Sequence, residues 1–257
     1  MRFLYLNLIL LLIVNDKGYS QNYTPLINPG LIQKNMISWL TYERDFVHWS
    51  SDFFGLNDSG ESISKKEFLT ILVKGGYLPV RMKTSDNSIC YKLYKLNDNT
   101  KKEISDVIKH KSEVQLHFYD MKGLPLPDFH FTDLNGNVYN KENTQGKIVV
   151  IKGWFVNCIP CINEFPRLNK LVKQYKKKKD VLFISLAFDS KNVLEKFLKE
   201  HNFKYNTVPG KEDYLRNGLK IEGYPIHIIL DRKGLVQLVT NDMDVMITTL
   251  KNMDGKK

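Results

Sequence analysis

Cysteine is scarce in this chain: three residues in 257, at Cys90, Cys158 and Cys161. That excludes a small disulfide-stapled scaffold, which needs more cysteines in even number. The chain is long enough to bury a proper core without staples. A structural zinc site is disfavoured too, because it needs four ligands and no His-x-x-x-His pair accompanies the cysteines. No internal repeat is present, and outside the N-terminus no apolar run is long enough to cross a membrane. The formal net charge is +10, yet no nucleic-acid module or basic–aromatic stripe accompanies it, so nucleic acid is not an expected partner. The run Lys176–Lys179 reads instead as the solvated end of a helix, where cations favour the C-terminal dipole.

The N-terminus carries the one strong targeting signal. Met1-Arg2 precedes an apolar stretch from Phe3 to Val14, followed by the small residues Gly18 and Ser20. This pattern predicts a secretory signal peptide over residues 1–20, cleaved near Ser20. An uncleaved membrane anchor is the alternative, but the stretch is short for a span. No cysteine stands at the cleavage point, which argues against a lipoprotein. The expected destination is export, into a bacterial periplasm.

The chemistry concentrates at Cys158-Ile159-Pro160-Cys161. The motif follows the apolar run Ile148–Ile151 and precedes helical spacing at Cys161, Phe165, Leu168, Val172 and Tyr175. A strand that ends just before the first cysteine, with a helix opening on it, sets that sulfur against unpaired backbone N–H groups. The helix dipole there favours thiolate. The second sulfur, one turn inward, is placed to resolve a mixed disulfide. A purely structural disulfide remains open in an exported protein. A peroxidase of the wider redoxin group would want a threonine three residues before the first cysteine, where Phe155 stands.

Two regions follow the leader. Residues 21–122 contain helical spacing from Leu31 to Phe54, a capping box at Ser64–Glu67 opening a short helix, strands over Tyr77–Met82 and Ile89–Leu96, and a helix over Glu103–His110. No catalytic constellation appears in this region. Cys90 lies in an alternating strand pattern and is expected to be a small half-buried residue, with an intermolecular disulfide as the minor reading. Gly123–Phe129, with two prolines, marks the boundary. Residues 123–257 then alternate: a hairpin about Asn135-Gly136, a central strand Lys147–Trp154, a helix Asn163–Lys179, a strand Val181–Ala187 and a helix Ser190–His201. A second hairpin, Pro225–Leu230 with Leu235–Val239, and a helix Asp244–Met253 complete the run. That order implies an α/β fold, a mixed sheet with helices on both faces.

The C-terminal half resembles the thioredoxin-like fold, and within it the exported thiol–disulfide oxidoreductases of the TlpA/ResA type. The residues that carry the resemblance are Pro127-Asp128-Phe129, Asp133–Gly136, Gly146-Lys147, Trp154, Cys158–Cys161, Glu164-Phe165-Pro166, Gly223-Tyr224-Pro225 and Asp231–Gly234. The resemblance implies a protein-disulfide reductase that works without cofactor or metal; the alternative is a non-catalytic interaction or redox-sensor module of the same fold, whose cysteine pair only locks its conformation. The reductase acts on protein disulfides and is recharged by a membrane-bound thiol donor. Cys158 is then the nucleophile and Cys161 the resolving thiol of a redox disulfide. Pro225 becomes a cis-proline, with the Tyr224 backbone pairing the client. Trp154, Ile159, Pro160, Tyr224 and Pro225 border the client site, Trp154 more as packing than as chemistry. Glu164 is either a general base near Cys161 or an exposed helix glutamate. Pro166 should kink its helix. His227 is expected to be an ordinary strand histidine. Lys152 departs from the pattern, since related chains carry an acidic residue or asparagine there. It either modulates the sulfur pKa from below or, the favoured reading, reaches solvent.

Overall fold

The computed structural model describes residues 23–255, apart from Asn87 and Lys101. The expected signal peptide therefore lies outside the described residues. Asparagines open the first two helices, because a short amide side chain can accept the unpaired N–H groups of a first turn. Asn28 caps α1 (Pro29–Ile32) and Asn35 caps α2 (Met36–Phe46). The helical spacing from Leu31 to Phe54 is thus not one helix. The chain turns extended at Val47, and the His48 N–H is held by the Tyr91 hydroxyl at 2.8 Å. Trp49 and Phe53 pack from a loop, and Phe54 begins β1 (Phe54–Leu56).

After β2 (Ser62–Ile63), the predicted capping box at Ser64 and Glu67 opens α3 (Lys65–Lys74). Strands β3 (Tyr77–Arg81) and β4 (Cys90–Lys95) complete a four-stranded sheet in the order β2-β1-β4-β3. Helix α4 runs from Lys102 to Met121, well past the expected end at His110. The apolar period is masked beyond that point because Ser112 and Gln115 occupy buried positions. Ser112 satisfies its hydroxyl on the Ile108 carbonyl at 2.8 Å. The N-terminal core gathers Trp39, Phe68, Leu72, Leu78, Leu93, Ile104 and Ile108. Cys90 lies within it, fully buried. Burial pushes its thiol up to about 12, which leaves it inert and discounts an intermolecular disulfide.

The second half opens with the hairpin β5 (Phe131–Thr132) and β6 (Val138–Tyr139), then the short α5 (Lys141–Thr144). Next come β7 (Ile148–Trp154), α6 (Ile159–Asn163), α7 (Phe165–Gln174), β8 (Val181–Ala187), α8 (Lys191–Glu200) and β9 (Asn206–Val208). A π-helical turn, Tyr214–Gly218, leads to β10 (Ile226–Leu230), β11 (Val236–Thr240) and α9 (Met243–Asp254). The sheet order is β11-β10-β7-β8-β9. Strands β7, β8 and β9 run parallel, while β10 lies antiparallel to both β7 and β11. This is the thioredoxin-like α/β fold, preceded by a mixed helix–strand region. Every residue of β7 is buried, as expected for a central strand covered on both faces. Alternation sends Val149 and Ile151 into one core layer, and Ile148 and Val150 into the layer under α7 and α9.

Helix α4 joins the halves. Ile104 and Ile108 lie in the N-terminal core, whereas Phe118 enters the C-terminal one with Val114 and Met121 packed beside it. The linker that follows covers the edge of β11. The Gly123 N–H donates to the Val236 carbonyl at 2.7 Å, and the Val236 N–H to the Leu124 carbonyl at 2.9 Å. Pairing of this kind removes an open sheet edge.

Candidate active site

Strand β7 delivers the chain to the cysteines, and Cys158 is the residue that caps α6. Cys158 and Cys161 are joined in a disulfide. The Cys161 N–H donates to Cys158 Sγ at 3.3 Å. Both sulfurs lie in a small cluster with Trp154, Phe165, Ala187 and Leu194. Cys158 is 5% exposed and Cys161 fully buried, so an incoming thiol meets Cys158 first. Ile159 and Pro160, between them, are exposed. Trp154 is fully buried, edge-on to Phe165. Its side chain braces the sulfurs from behind and cannot border a client, which corrects its place in the expected client site.

The Tyr224–Pro225 peptide bond is cis, and Tyr224 packs against the cysteine cluster. Asn241 Nδ2 donates to the carbonyls of Gly223 and Pro225, at 3.1 and 2.6 Å. Among the described residues the Tyr224 backbone N–H and carbonyl make no hydrogen bond. Phe188 lies edge-on to Tyr224 at 4.8 Å and stacks on Phe155, with the Arg216 guanidinium over its ring at 5.0 Å. Sequence reasoning did not pick out Phe155, Phe188 or Arg216 as a group, because the ends of β7 and β8 and the π-helical turn bring them together.

Beneath the cysteines lies a buried polar unit. Lys152 and His227 are cross-strand partners on β7 and β10, so both project to the face under the α6–α7 junction. Glu164 occupies that junction, between the end of α6 and the start of α7. Pro166 follows it; lacking an N–H, it cannot continue the hydrogen-bond ladder, and the predicted kink is present. Glu164 Oε2 accepts from Lys152 Nζ and pairs with His227 Nε2 at 3.1 Å. Lys152 and His227 side chains are fully buried and Glu164 is 14% exposed. Lys152 therefore does not reach solvent. A buried ammonium requires a partner, and Glu164, one turn beyond Cys161, supplies it. Glu164 is equally not an exposed helix glutamate. His227 is a strand histidine, but its bond to Glu164 depends on a strand register that the sequence does not display.

The electrostatics follow from this burial. Burial alone would raise the Glu164 carboxyl; the His227 hydrogen bond and the Lys152 charge outweigh it and hold the group below the ordinary carboxylate range. Burial lowers Lys152, against the pull of Glu164. Burial also lowers His227, with Glu164 opposing. At neutral pH these directions leave Glu164 a carboxylate and His227 a neutral imidazole. His227 Nδ1 has no hydrogen-bond partner.

Comparison with known proteins matches this half of the chain. A model of the AhpC/TSA family covers residues 123–239. Over 123 residues the chain is 30% identical to the thiol-disulfide oxidoreductase ResA of Geobacillus kaustophilus, spanning 47% of this chain and 70% of that protein. This chain belongs to the ResA-type thiol-disulfide oxidoreductases. The thioredoxin-like protein YneN of Bacillus subtilis is 28% identical over 137 residues, 52% of this chain and 78% of its own length. A crystallised thioredoxin domain of a thiol-disulfide oxidoreductase from Bacteroides vulgatus aligns at 25% identity and a TM-score of 0.45, over 51% of this chain and 96% of that domain. Residues 123–239, matched by the AhpC/TSA model, hold the cysteine pair, Glu164 and the Tyr224–Pro225 loop.

Proposed function

We propose that this oxidoreductase is an exported protein-disulfide reductase that uses Cys158 and Cys161 as its redox couple. The observation that carries the reading is the pairing of a solvent-edge sulfur with a buried one, beside a loop whose Tyr224 backbone is free. In the reduced protein, the Cys158 thiolate attacks one sulfur of a client disulfide. The client S–S bond breaks, a mixed disulfide forms and the first client thiolate leaves to take a proton. Cys161 then loses its proton to the Glu164 carboxylate and attacks Cys158 Sγ. The Cys158–client bond breaks and the second client thiolate leaves, protonated in turn. Two electrons pass to the client, which becomes a dithiol while the protein becomes the disulfide. A membrane-bound thiol donor returns the electrons.

In this scheme Lys152 and His227 hold Glu164 as the anion in place for Cys161. The client lies across Ile159 and Pro160, and adds an extended strand to the Tyr224 backbone, where main-chain groups bind and alternate side chains select. Mass spectrometry of client adducts tests the assignment. Cys161→Ser accumulates mixed disulfides through Cys158, while Cys158→Ser accumulates none and abolishes insulin reduction. Adducts formed through Cys161 in the Cys158→Ser protein would reverse the roles. A Cys158–Cys161 bond that serves only as a structural lock would leave insulin unreduced by the parent protein.

A further inference from the structure

One turn of the chain ties the client loop to the N-terminal region. Strand β11 ends at Thr240 and α9 begins at Met243, so Asn241 and Asp242 are the whole connection. Both of its ends are anchored. Thr240 is fully buried and pairs across the sheet with His227. Its hydroxyl oxygen accepts from the Asp242 N–H at 2.9 Å. Asp242 caps α9, its Oδ1 accepting from the Asp244 and Val245 N–H groups at 2.8 and 3.1 Å. Such a cap ties the start of a helix to the residue before it. The Asn241 side chain therefore starts from a fixed place.

That side chain reaches the loop that precedes β10. An amide nitrogen carries two N–H donors, and Asn241 gives them to the carbonyls of Gly223 and Pro225. Tyr224, the residue between those two, keeps its own N–H and carbonyl unbonded. One amide thus holds the loop on either side of the residue offered to a client. A carboxylate in its place would aim oxygens at two carbonyl oxygens, so the donor matters as much as the shape.

The N-terminal region supports this turn from behind. A hydroxyl that accepts from an N–H still has its own proton to give, and the Thr240 hydroxyl donates to Ser50 Oγ at 2.6 Å. Ser50 is itself held on both sides. The Lys65 ammonium donates to the carbonyls of Trp49 and Ser51, at 2.8 and 2.7 Å. Lys65 opens α3, whose Phe68 and Leu72 lie in the N-terminal core. Hydrogen bonds therefore run from that core through Ser50 and Thr240 to the turn that carries Asn241.

We propose that Asn241 is a positioning residue for client binding, and that the N-terminal region keeps it in position through Ser50. A loop set in advance lowers the ordering cost of adding a client strand. The contribution falls on the binding of an extended client, not on the exchange between sulfurs.

The proposal rests on the disulfide-exchange reading above, and one pair of substrates separates the two. The full chain, recycled by dithiothreitol, is given an extended peptide with one disulfide and, separately, hydroxyethyl disulfide, which has no main chain to pair with Tyr224. Asn241→Ala should lower the ratio of peptide to hydroxyethyl disulfide kcat/KM by about fivefold, through the peptide KM. Asn241→Asp, close in shape but with no N–H to give, should lower it at least as far. Ser50→Ala should lower it in the same direction by about twofold, because the buried Thr240 hydroxyl loses its acceptor. Both rates are read on one preparation, so a change in the folded fraction cancels from the ratio. An unchanged ratio in the Asn241 variants, or a loss shared equally by the two substrates, would overturn the proposal. An unchanged ratio in Ser50→Ala would overturn the part given to the N-terminal region. Failure of the unaltered protein to reduce even hydroxyethyl disulfide would instead overturn the exchange reading.

Discussion

At the residue scale, Lys152 decides more than its single charge suggests. A buried ion pair is weak evidence of net stabilisation, but removing one partner strands the other. Lys152→Met should cost about 3–5 kcal/mol in urea unfolding, because it leaves the Glu164 carboxylate short of its counter-ion. Combining it with Glu164→Gln should recover most of the loss, since no uncompensated charge remains. His227 makes a second prediction. Its folded pKa is depressed, so between that value and the unfolded value near 6.5 the unfolded chain binds more protons. Stability then rises with pH in that window, and is lost as pH falls, by up to about 1.4 kcal/mol per unit. Glu164, whose folded pKa is also lowered, adds its own loss only further down, in the carboxylate range. Lys152, Glu164 and Asp242 all act on the ring. The urea midpoint should therefore drop between pH 7 and pH 5, and His227→Phe should flatten that slope. An equal slope in both proteins would mean that His227 is protonated in the fold.

Among the elements, β7 is the one on which the site is built. Its seven residues are buried, and Gly153 marks where two neighbours come closest. A Cβ there would lie 2.6 Å from Ile226 Cγ2 and 3.2 Å from both Leu215 and the Tyr224 ring. Ile226 directly follows the cis-proline, so it cannot move without moving that loop. Gly153→Ala should lower stability by about 1–3 kcal/mol through overpacking. It should also slow disulfide exchange more than its effect on the melting temperature alone would suggest. Stopped-flow exchange beside a thermal melt checks this. The long strands and the kinked helix were readable because their apolar patterns are undiluted. The three-residue β9 and the π-helical turn were not, because neither holds enough residues to establish a period.

For the whole molecule, the connection between halves matters most. The sequence boundary at Gly123 is where regular structure lapses, but the packing boundary lies inside α4. Phe118, 5% exposed, belongs to the C-terminal core. Phe118→Ala should cost about 3–5 kcal/mol, and hydrogen exchange should show protection lost in β10 and β11 as well as in α4. Protection lost in α4 alone would mean that the halves are merely tethered. Helix α4 also contributes His110, Lys111, Val114 and Gln115 to a cleft that faces the Gly223–Tyr224 segment.

Local order and spacing determined the alternating α/β elements of a mixed sheet, the cysteine pair at a helix start and the capping box at Ser64, while motif resemblance supplied the thioredoxin-like architecture. Each of these is written within a few consecutive residues, and short-range physics is enough to read it. Tertiary structure decided what the charges do. Lys152, Glu164 and His227 are far apart in the chain and meet only because β7 pairs with β10 in one register while a proline kink drops Glu164 between them. The same holds for the cleft, whose two walls come from separate cores joined by α4. A lone lysine in a strand reads as one that reaches for water, and only the packing around it shows that no route to water exists.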